Sequence, residues 1–364
     1  MKITDVKAIV LRLPEISSAA DGTQDDLIIV VETDEGITGY GEVDTAPNVG
    51  KAIVNAKMSH GTCYGLREIL LGADPFDYEQ IWNEMWSKTY YYGRFGPVIH
   101  VMSGIDMALW DIMGKSSGKP VHKLLGGSYT DKVRPYASAL MPENADDVKI
   151  MTEKYATLGY PAIKFGWGPL GYDVKFDLKL IEAARKSAGD NVEIMIDIGK
   201  RYTLKQAMYM ARALEQLNIL WLEEPLPAED YKGYRKLSDS TTMSIATGEE
   251  ESGRLAFSRL MDESHVDIIQ PDISRCGGLT EAKKIAAMAA DNNIVLVPHA
   301  FKTGILVAAT IHFIASLPHL PFLEFSVTES PIRKELLARP FTIKNGFIAV
   351  PEHRELGKIG RAQV

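Results

Sequence analysis

Val192–Asp197 reads VEIMID, Ile219–Glu224 reads ILWLEE, and Ser244–Glu249 reads SIATGE. An acidic residue stands at or near the end of each run: Asp197, Glu223 and Glu249. Each interval is 26 residues, about the length of one strand, one helix and two loops in a β/α barrel. Carboxylates at the same end of three adjacent parallel strands converge on one point. They repel unless a cation lies between them, and hard oxygen donors favour Mg²⁺.

The pattern extends both ways. Lys164 ends PAIK, Asp272 ends VDIIQPD, His299 ends IVLVPH and Glu324 ends PFLE. The apolar runs are short, rich in Val, Ile and Leu, and do not alternate, as expected of strands buried on both faces. Apolar residues recur at helical spacing over Thr203–Leu217, Ser252–Met261 and Thr280–Ala290. Thr203 and Thr280 are candidate N-caps. Val133–Ala139 supplies a first strand. Strand and helix in alternation predict a parallel sheet, and polar residues at strand ends predict an α/β fold, a modified (β/α)₈ TIM barrel. A lone charged residue after a strand is ordinarily a helix cap or a solvated loop residue. Seven in register, of the types that metal and acid–base sites need, are harder to obtain that way.

The region before residue 130 has a different texture. MKITDVKAIVLRLP reads as an amphipathic strand, and Asp26–Thr33 and Ile37–Val43 as strands joined by a turn at Asp34-Glu35-Gly36. Pro75–Lys88 and Pro97–Lys115 read as helical. The expected organisation is an α+β capping domain over 1–130, completed by the tail 331–364, and a barrel over 131–330. In the tail, Phe341–Ile343 and Gly346–Val350 read as β and are expected to return to the N-terminal unit. The 364 residues suffice for both. A formal net charge of −8 does not favour nucleic acid or an anionic membrane. Two cysteines, Cys63 and Cys276, are too few for a disulfide framework or a cysteine zinc site. With no secretory signal in the first residues, the expected compartment is cytoplasmic.

GYGE (Gly39–Glu42), SGIDMALWDIMGKSSGKPVHKLLGG (Ser103–Gly127), then IKFG, IDIG, WLEEP, ATGEE, IIQPDISRCGG, VPHAF and FLEF occur in order along nearly the whole chain. In these the chain resembles the enolase superfamily, specifically the mandelate racemase/muconate lactonizing enzyme family and its mandelate racemase branch. The resemblance implies Asp197, Glu223 and Glu249 as Mg²⁺ ligands, and His299 as a general base oriented by Asp272. It implies Lys164 and a protonated Glu324 beside the substrate carboxylate, and often a homo-oligomer. The chemistry is coherent. Removing a proton next to a carboxylate creates a dianionic enediolate, which a divalent cation, a lysine and a proton donor stabilise. Histidine suits the base near neutral pH.

The sequence departs from the family pattern at Gly166, where a second lysine would complete Lys-x-Lys. Without it, two-base racemisation is disfavoured, as are the cycloisomerisation and succinylbenzoate synthesis that use that lysine. Gly166 either allows close approach or is a plain turn glycine. One histidine suffices to take an α-proton while a β-hydroxyl leaves. The expected function is therefore an acid-sugar (aldonate or aldarate) dehydratase acting on a small carboxylate. The alternatives are a racemase or epimerase using His299 with a capping tyrosine or Lys302, and a non-catalytic sugar-acid-binding barrel. Gly199 stands where many relatives have Asn. Candidate substrate contacts are Tyr91 (among Tyr90–Tyr92), Trp167 and Lys302, with Lys200 and Arg201 as candidates for a distal carboxylate. The polar loop Ser17–Asp26 suggests a hydroxylated substrate.

Overall fold

The structure, a computed structural model, describes residues 1–318 and 321–356; the end of the predicted tail, 357–364, lies outside the described residues. Three strands, β1 (Ile3–Arg12), β2 (Asp25–Thr33) and β3 (Thr38–Val43), form an antiparallel sheet in that order. Gly36 at φ 74° makes the predicted β2–β3 turn. Helix Pro97–Ser117 lies against one face of the sheet. A Cβ at Gly41 would stand 1.8 Å from the Gly104 carbonyl oxygen, so glycine is what lets helix and strand touch. Ile28 and Val30, on the other face, pack on Ile305 and Leu337 of the barrel side.

The barrel sheet contains β5 (Pro135–Leu140), β6 (Ala162–Gly166), β7 (Glu193–Asp197), β8 (Leu222–Glu223), β9 (Ile245–Thr247), β10 (Ile268–Ile269), β11 (Val295–Leu296) and β12 (Leu323–Ser326). Pairing is parallel and runs β11-β10-β9-β8-β7-β6-β5-β12. Among the described residues, β11 and β12 share no ladder. Each of β5 to β11 is followed by a helix of eight or more residues, whereas β12 is followed only by the five-residue Pro331–Glu335. This is the modification of the barrel. Helix Leu204–Gln216 starts at Thr203, whose hydroxyl accepts from the Gln206 amide in a capping box. Thr280 does not cap its helix, which runs Gly278–Asp291 from an N-cap at Gly277. Its hydroxyl instead donates to Asp106 and accepts from Trp110 of the capping helix. Helix Arg254–Ser264 begins two residues later than the sequence pattern, after Gly253.

Inside the barrel, period-two side chains form layers. Tyr136, Ala162, Met195, Trp221, Ala246, Ile268, Val297 and Phe322 make a buried apolar plug. Two residues further along their strands stand Ser138, Lys164, Asp197, Glu223, His299 and Glu324. The plug thus supports a polar layer at the C-terminal ends.

The short strand β4 (Lys132–Val133) pairs with β13 (Ile348–Ala349). The tail strand therefore joins the edge of the barrel, not the N-terminal sheet, because Ile348 and Val350 pack with Val133, Ile311 and Leu323. The predicted strand at Phe341–Ile343 is absent. Near its end the tail reaches the capping helix, where the Arg354 carbonyl lies against Gly114 and the Leu356 amide donates to Asp111.

Candidate active site

The polar layer opens into a cleft of about 540 Å³ between barrel and cap. Register pairs Gly166 with Asp197, and Asp197 with Glu223, so neighbouring strands deliver these side chains at one level. Lys164 is buried and forms ion pairs with Glu223 and, at 2.9 Å, with Glu324. Burial opposes its charge, but Glu223 and Glu324 outweigh burial and hold its pKa well above the ordinary lysine value. The second Glu223 oxygen accepts from Trp221 Nε1 at 2.8 Å.

His299 Nδ1 lies 2.5 Å from Asp272 Oδ2. The other Asp272 oxygen accepts from the Ser274 amide (2.6 Å) and hydroxyl (2.5 Å). The carboxylate is thereby fixed, and it fixes the tautomer of His299 with Nε2 facing the cleft. Nε2 is 3.3 Å from Glu249 and 3.7 Å from Glu324. Burial disfavours the imidazolium, yet Glu249, Glu324 and Asp272 together push its pKa up to about 10.

Glu324 differs from expectation. Ser138 Oγ and Lys164 donate to one oxygen and the Ala300 amide to the other (2.7, 2.9 and 2.8 Å). Burial works against ionisation, but Lys164, His299 and these donors bring its pKa down to about 2. Its hydrogen-bonding partners are all donors, an arrangement that favours the carboxylate over the protonated acid expected from sequence.

Asp197, Glu223 and Glu249 lie at the same mouth, but more openly than predicted, since Lys164 and Trp221 hold Glu223. Burial, then repulsion from Glu223, partly relieved by Lys164, and from Glu249, push Asp197 up to about 8. No Lys or Arg among the described residues pairs with Asp197 within 4.0 Å. Among the described residues, the acidic trio whose oxygens come mutually within 4.8 Å is Glu224, Glu249 and Glu250. Lys200 already serves that group, pairing with Glu250 and standing 3.4 Å from Glu224. Of the predicted trio, Glu223 pairs with Lys164, and Glu249 lies 3.3 Å from His299 and 3.6 Å from Arg275, whereas Asp197 has no such cation beside it among the described residues. An all-carboxylate donor set of this kind fits an oxygen-seeking divalent cation.

The remaining predicted contacts divide. Trp167 lines the cleft at φ 55°. Its ring lies where a Cβ on Gly199 would come within 2.9 Å, which explains glycine there. Lys200 and Arg201 flank that ring at 5.2 and 5.4 Å. Arg201 is committed to the Gly168 and Leu170 carbonyls (2.8 and 2.7 Å). Tyr91 is 75% exposed, stacks edge-on with His60 and does not line the cleft. The tyrosine run lies at the surface of the cap, with Tyr92 donating to the Tyr64 carbonyl. Lys302 is neither solvated nor in the cleft. It is buried, and its ammonium donates to the Gly22 and Asp25 carbonyls, each at 2.7 Å. The loop it holds presents Ala20 and Gly22 to the cleft. The loop's polar groups bond internally, Gln24 to Ser17 and Asp21 to Thr23, so its polarity reports its own fold.

Sequence reasoning missed Asp44, Arg275, Ser138 and Phe301, all of which line the cleft. Arg275 bonds Asp44 at 2.6 Å and stands 3.6 Å from Glu249. Asp44 is buried, which raises its pKa, but Arg275, Lys302 and His299 hold it far below the usual carboxylate range. Ser138 had a signal: it is the small hydroxyl residue two positions beyond Tyr136 on the inward face of the first strand. Asp44 had none, because its approach depends on how the cap sits.

Two families match the chain. The mandelate racemase/muconate lactonizing enzyme N-terminal domain covers residues 3–126, and the enolase C-terminal domain-like family covers 147–357. The chain belongs to the mandelate racemase/muconate lactonizing enzyme family. D-galactarolactone cycloisomerase of Agrobacterium fabrum is 32% identical, covering 98% of this chain and 96% of that protein. Arabinonate dehydratase of Saccharolobus solfataricus is also 32% identical, covering 94% and 90%. The 3,6-anhydro-D-galactonate cycloisomerase structure from Zobellia galactanivorans superposes with TM-score 0.89 at 35% identity, covering 98% and 96%. A Streptomyces coelicolor racemase structure with bound magnesium gives TM-score 0.86 at 29% identity, covering 98% and 96%. The relatives in this family are enzymes, among them a dehydratase, cycloisomerases and a racemase. Cycloisomerases thus stand among the relatives, although the missing lysine argued against that reaction.

Proposed function

We propose that the chain is a Mg²⁺-dependent lyase that removes the proton α to an acid-sugar carboxylate and expels the β-oxygen. The observation that carries this is His299 Nε2 facing the cleft with Nδ1 held by Asp272, beside the Asp197, Glu223 and Glu249 carboxylates. His299 takes the α-proton in its neutral form, which would be favoured once a cation on Glu249 offsets the carboxylate charge that raises the imidazole pKa. Asp272 holds the imidazole in place and supports the charge it gains. Lys164 stabilises the negative charge that develops on the substrate carboxylate. Glu324, held as a carboxylate, positions Lys164 beside the substrate carboxylate. Asp197, Glu223 and Glu249 would hold Mg²⁺, whose positive charge would stabilise the same developing anion. The electrons of the broken C–H bond form the enediolate and then expel the oxygen on the β-carbon. His299, now protonated, returns its proton to that oxygen. The enol becomes a 2-keto-3-deoxy acid.

A β-hydroxyl leaves as water, which makes the enzyme a dehydratase. The second reading is that a ring oxygen leaves and stays tethered, opening an anhydro or lactone acid. It is favoured by the cycloisomerase relatives, and ring opening by β-elimination needs one base, unlike the cycloisomerisation that uses the lysine absent at Gly166. The test is a screen of aldonic, aldaric and anhydroaldonic acids with Mg²⁺ in deuterated water, reading 2-keto product and C2 deuterium together. Keto product from an open-chain acid supports dehydration, and keto product from a cyclic acid alone supports ring opening. Deuterium at C2 without keto product would transfer the assignment to epimerisation. His299→Asn is expected to lower turnover by about 10²–10⁴-fold or more; unchanged turnover would sink the assignment of the base.

A further inference from the structure

Resting on the reaction proposed above, we infer that the site takes a monocarboxylate with an uncharged, hydroxylated far end, an aldonate or anhydroaldonate, and rejects an aldarate. Lys164, Arg275 and His299 are the cations that line the cleft among the described residues. Each already faces carboxylates of the protein. Lys164 lies between Glu223 and Glu324, and it is the group beside which the reacting carboxylate sits. His299 is held by Asp272, with Glu249 at 3.3 Å. Arg275 is bonded to Asp44 at 2.6 Å and stands 3.6 Å from Glu249.

The nearby cations outside the cleft are also occupied. Lys200 serves Glu224 and Glu250, Arg201 two backbone carbonyls, and Lys302 two others. Apart from the three cations that line it and the carboxylates Asp44, Asp197, Glu249 and Glu324, the wall of the cleft is uncharged, with Trp167 and Phe301 its large side chains. A second carboxylate in this cleft would lose water, meet no free cation and add to the carboxylates that line it, Asp44, Asp197, Glu249 and Glu324. A hydroxyl or ring oxygen meets no such penalty, and a hydroxyl can donate to one of those carboxylates.

The test uses the full chain with Mg²⁺ and a hexonate and hexarate of identical configuration from C2 to C5. Calorimetry reads affinity, and deuterium exchange at C2 reads turnover. The hexonate is expected to bind at least about tenfold more tightly, the effect of one unpaired buried charge. Equal affinity, or a preference for the hexarate, overturns the inference while leaving the reaction standing. Asp44→Asn releases Arg275 and is expected to narrow the ratio to about threefold or less. An unchanged ratio in the folded variant overturns the role of the Asp44–Arg275 pair. Should that variant fail to fold, the wild-type comparison decides alone. If neither acid exchanges its α-proton, the proposed reaction fails, and the calorimetric ratio still decides this inference. Binding of neither acid overturns both.

Discussion

Gly166 shows how one residue sets the chemistry. A Cβ there would come within 2.8 Å of both Cβ and Oδ2 of Asp197. The backbone register that pairs the two residues leaves the carboxylate no simple escape. Gly166→Lys is therefore expected not to create a second base. It displaces Asp197 and raises the Mg²⁺ needed for half-maximal activity by about 10–100-fold, measured by Mg²⁺ titration of turnover. Racemisation of a 2-hydroxy acid by this variant at unchanged Mg²⁺ dependence would refute the argument. At this scale the sequence revealed the dyad partners and the acidic trio, because strand ends repeat at nearly constant intervals. It misplaced Tyr91 and Lys302, whose nearness in sequence to site segments says nothing about side-chain direction.

At the scale of elements, the loop over the cleft depends on the barrel. Lys302 stands at the start of the segment leading to helix Gly304–Ala315, and Glu42 of β3 caps that helix. Glu42 accepts from the Thr303 amide and hydroxyl and from the Leu306 amide (2.9, 2.8 and 2.7 Å). Capping by a glutamate from another unit ties GYGE to the segment carrying His299. Lys302 adds two bonds to the loop and lies 3.6 Å from Asp44. Lys302→Met leaves that carboxylate short of one partner and the loop carbonyls without a donor. The expected loss is about 3–5 kcal/mol of stability, read from denaturant midpoints. Faster proteolytic cleavage within residues 15–24 and a raised KM are expected with it. Retained loop protection in the variant would refute the anchoring role.

The whole molecule carries a pH sensitivity away from the cleft. His122, after the capping helix, and His312, on the last long barrel helix, are buried with their Nδ1 atoms 2.9 Å apart. Among the described residues neither Nε2 atom has a hydrogen-bond partner, and Glu352 of the tail lies 4.0 Å from that of His122. Burial, then His122 and His353, push His312 down to about 3. The folded protein keeps it neutral, whereas the unfolded chain binds a proton near pH 6.5. The associated stability is complete above pH 6.5 and falls as pH drops from there toward 3. The slope is up to about 1.4 kcal/mol per pH unit. Unfolding free energies between pH 7.5 and 4.5 are expected to fall less steeply in His312→Gln than in the unaltered chain. Identical slopes would exclude His312 as the source.

The barrel, and the placing of Asp272 and His299 at the ends of successive strands, were legible in the sequence itself. Buried parallel strands demand apolar runs, and a barrel repeats them at an interval visible without coordinates. The helix starts were legible where a side chain caps its own turn, as at Thr203, and not where contacts between units decide, as at Thr280. Tertiary structure alone decided the ionisation of Glu324, the pairing of Arg275 with Asp44, the burial of Lys302 and the attachment of the tail to β4. Each depends on groups distant in sequence meeting in a low-dielectric interior, where a pairing of a few ångströms fixes a charge.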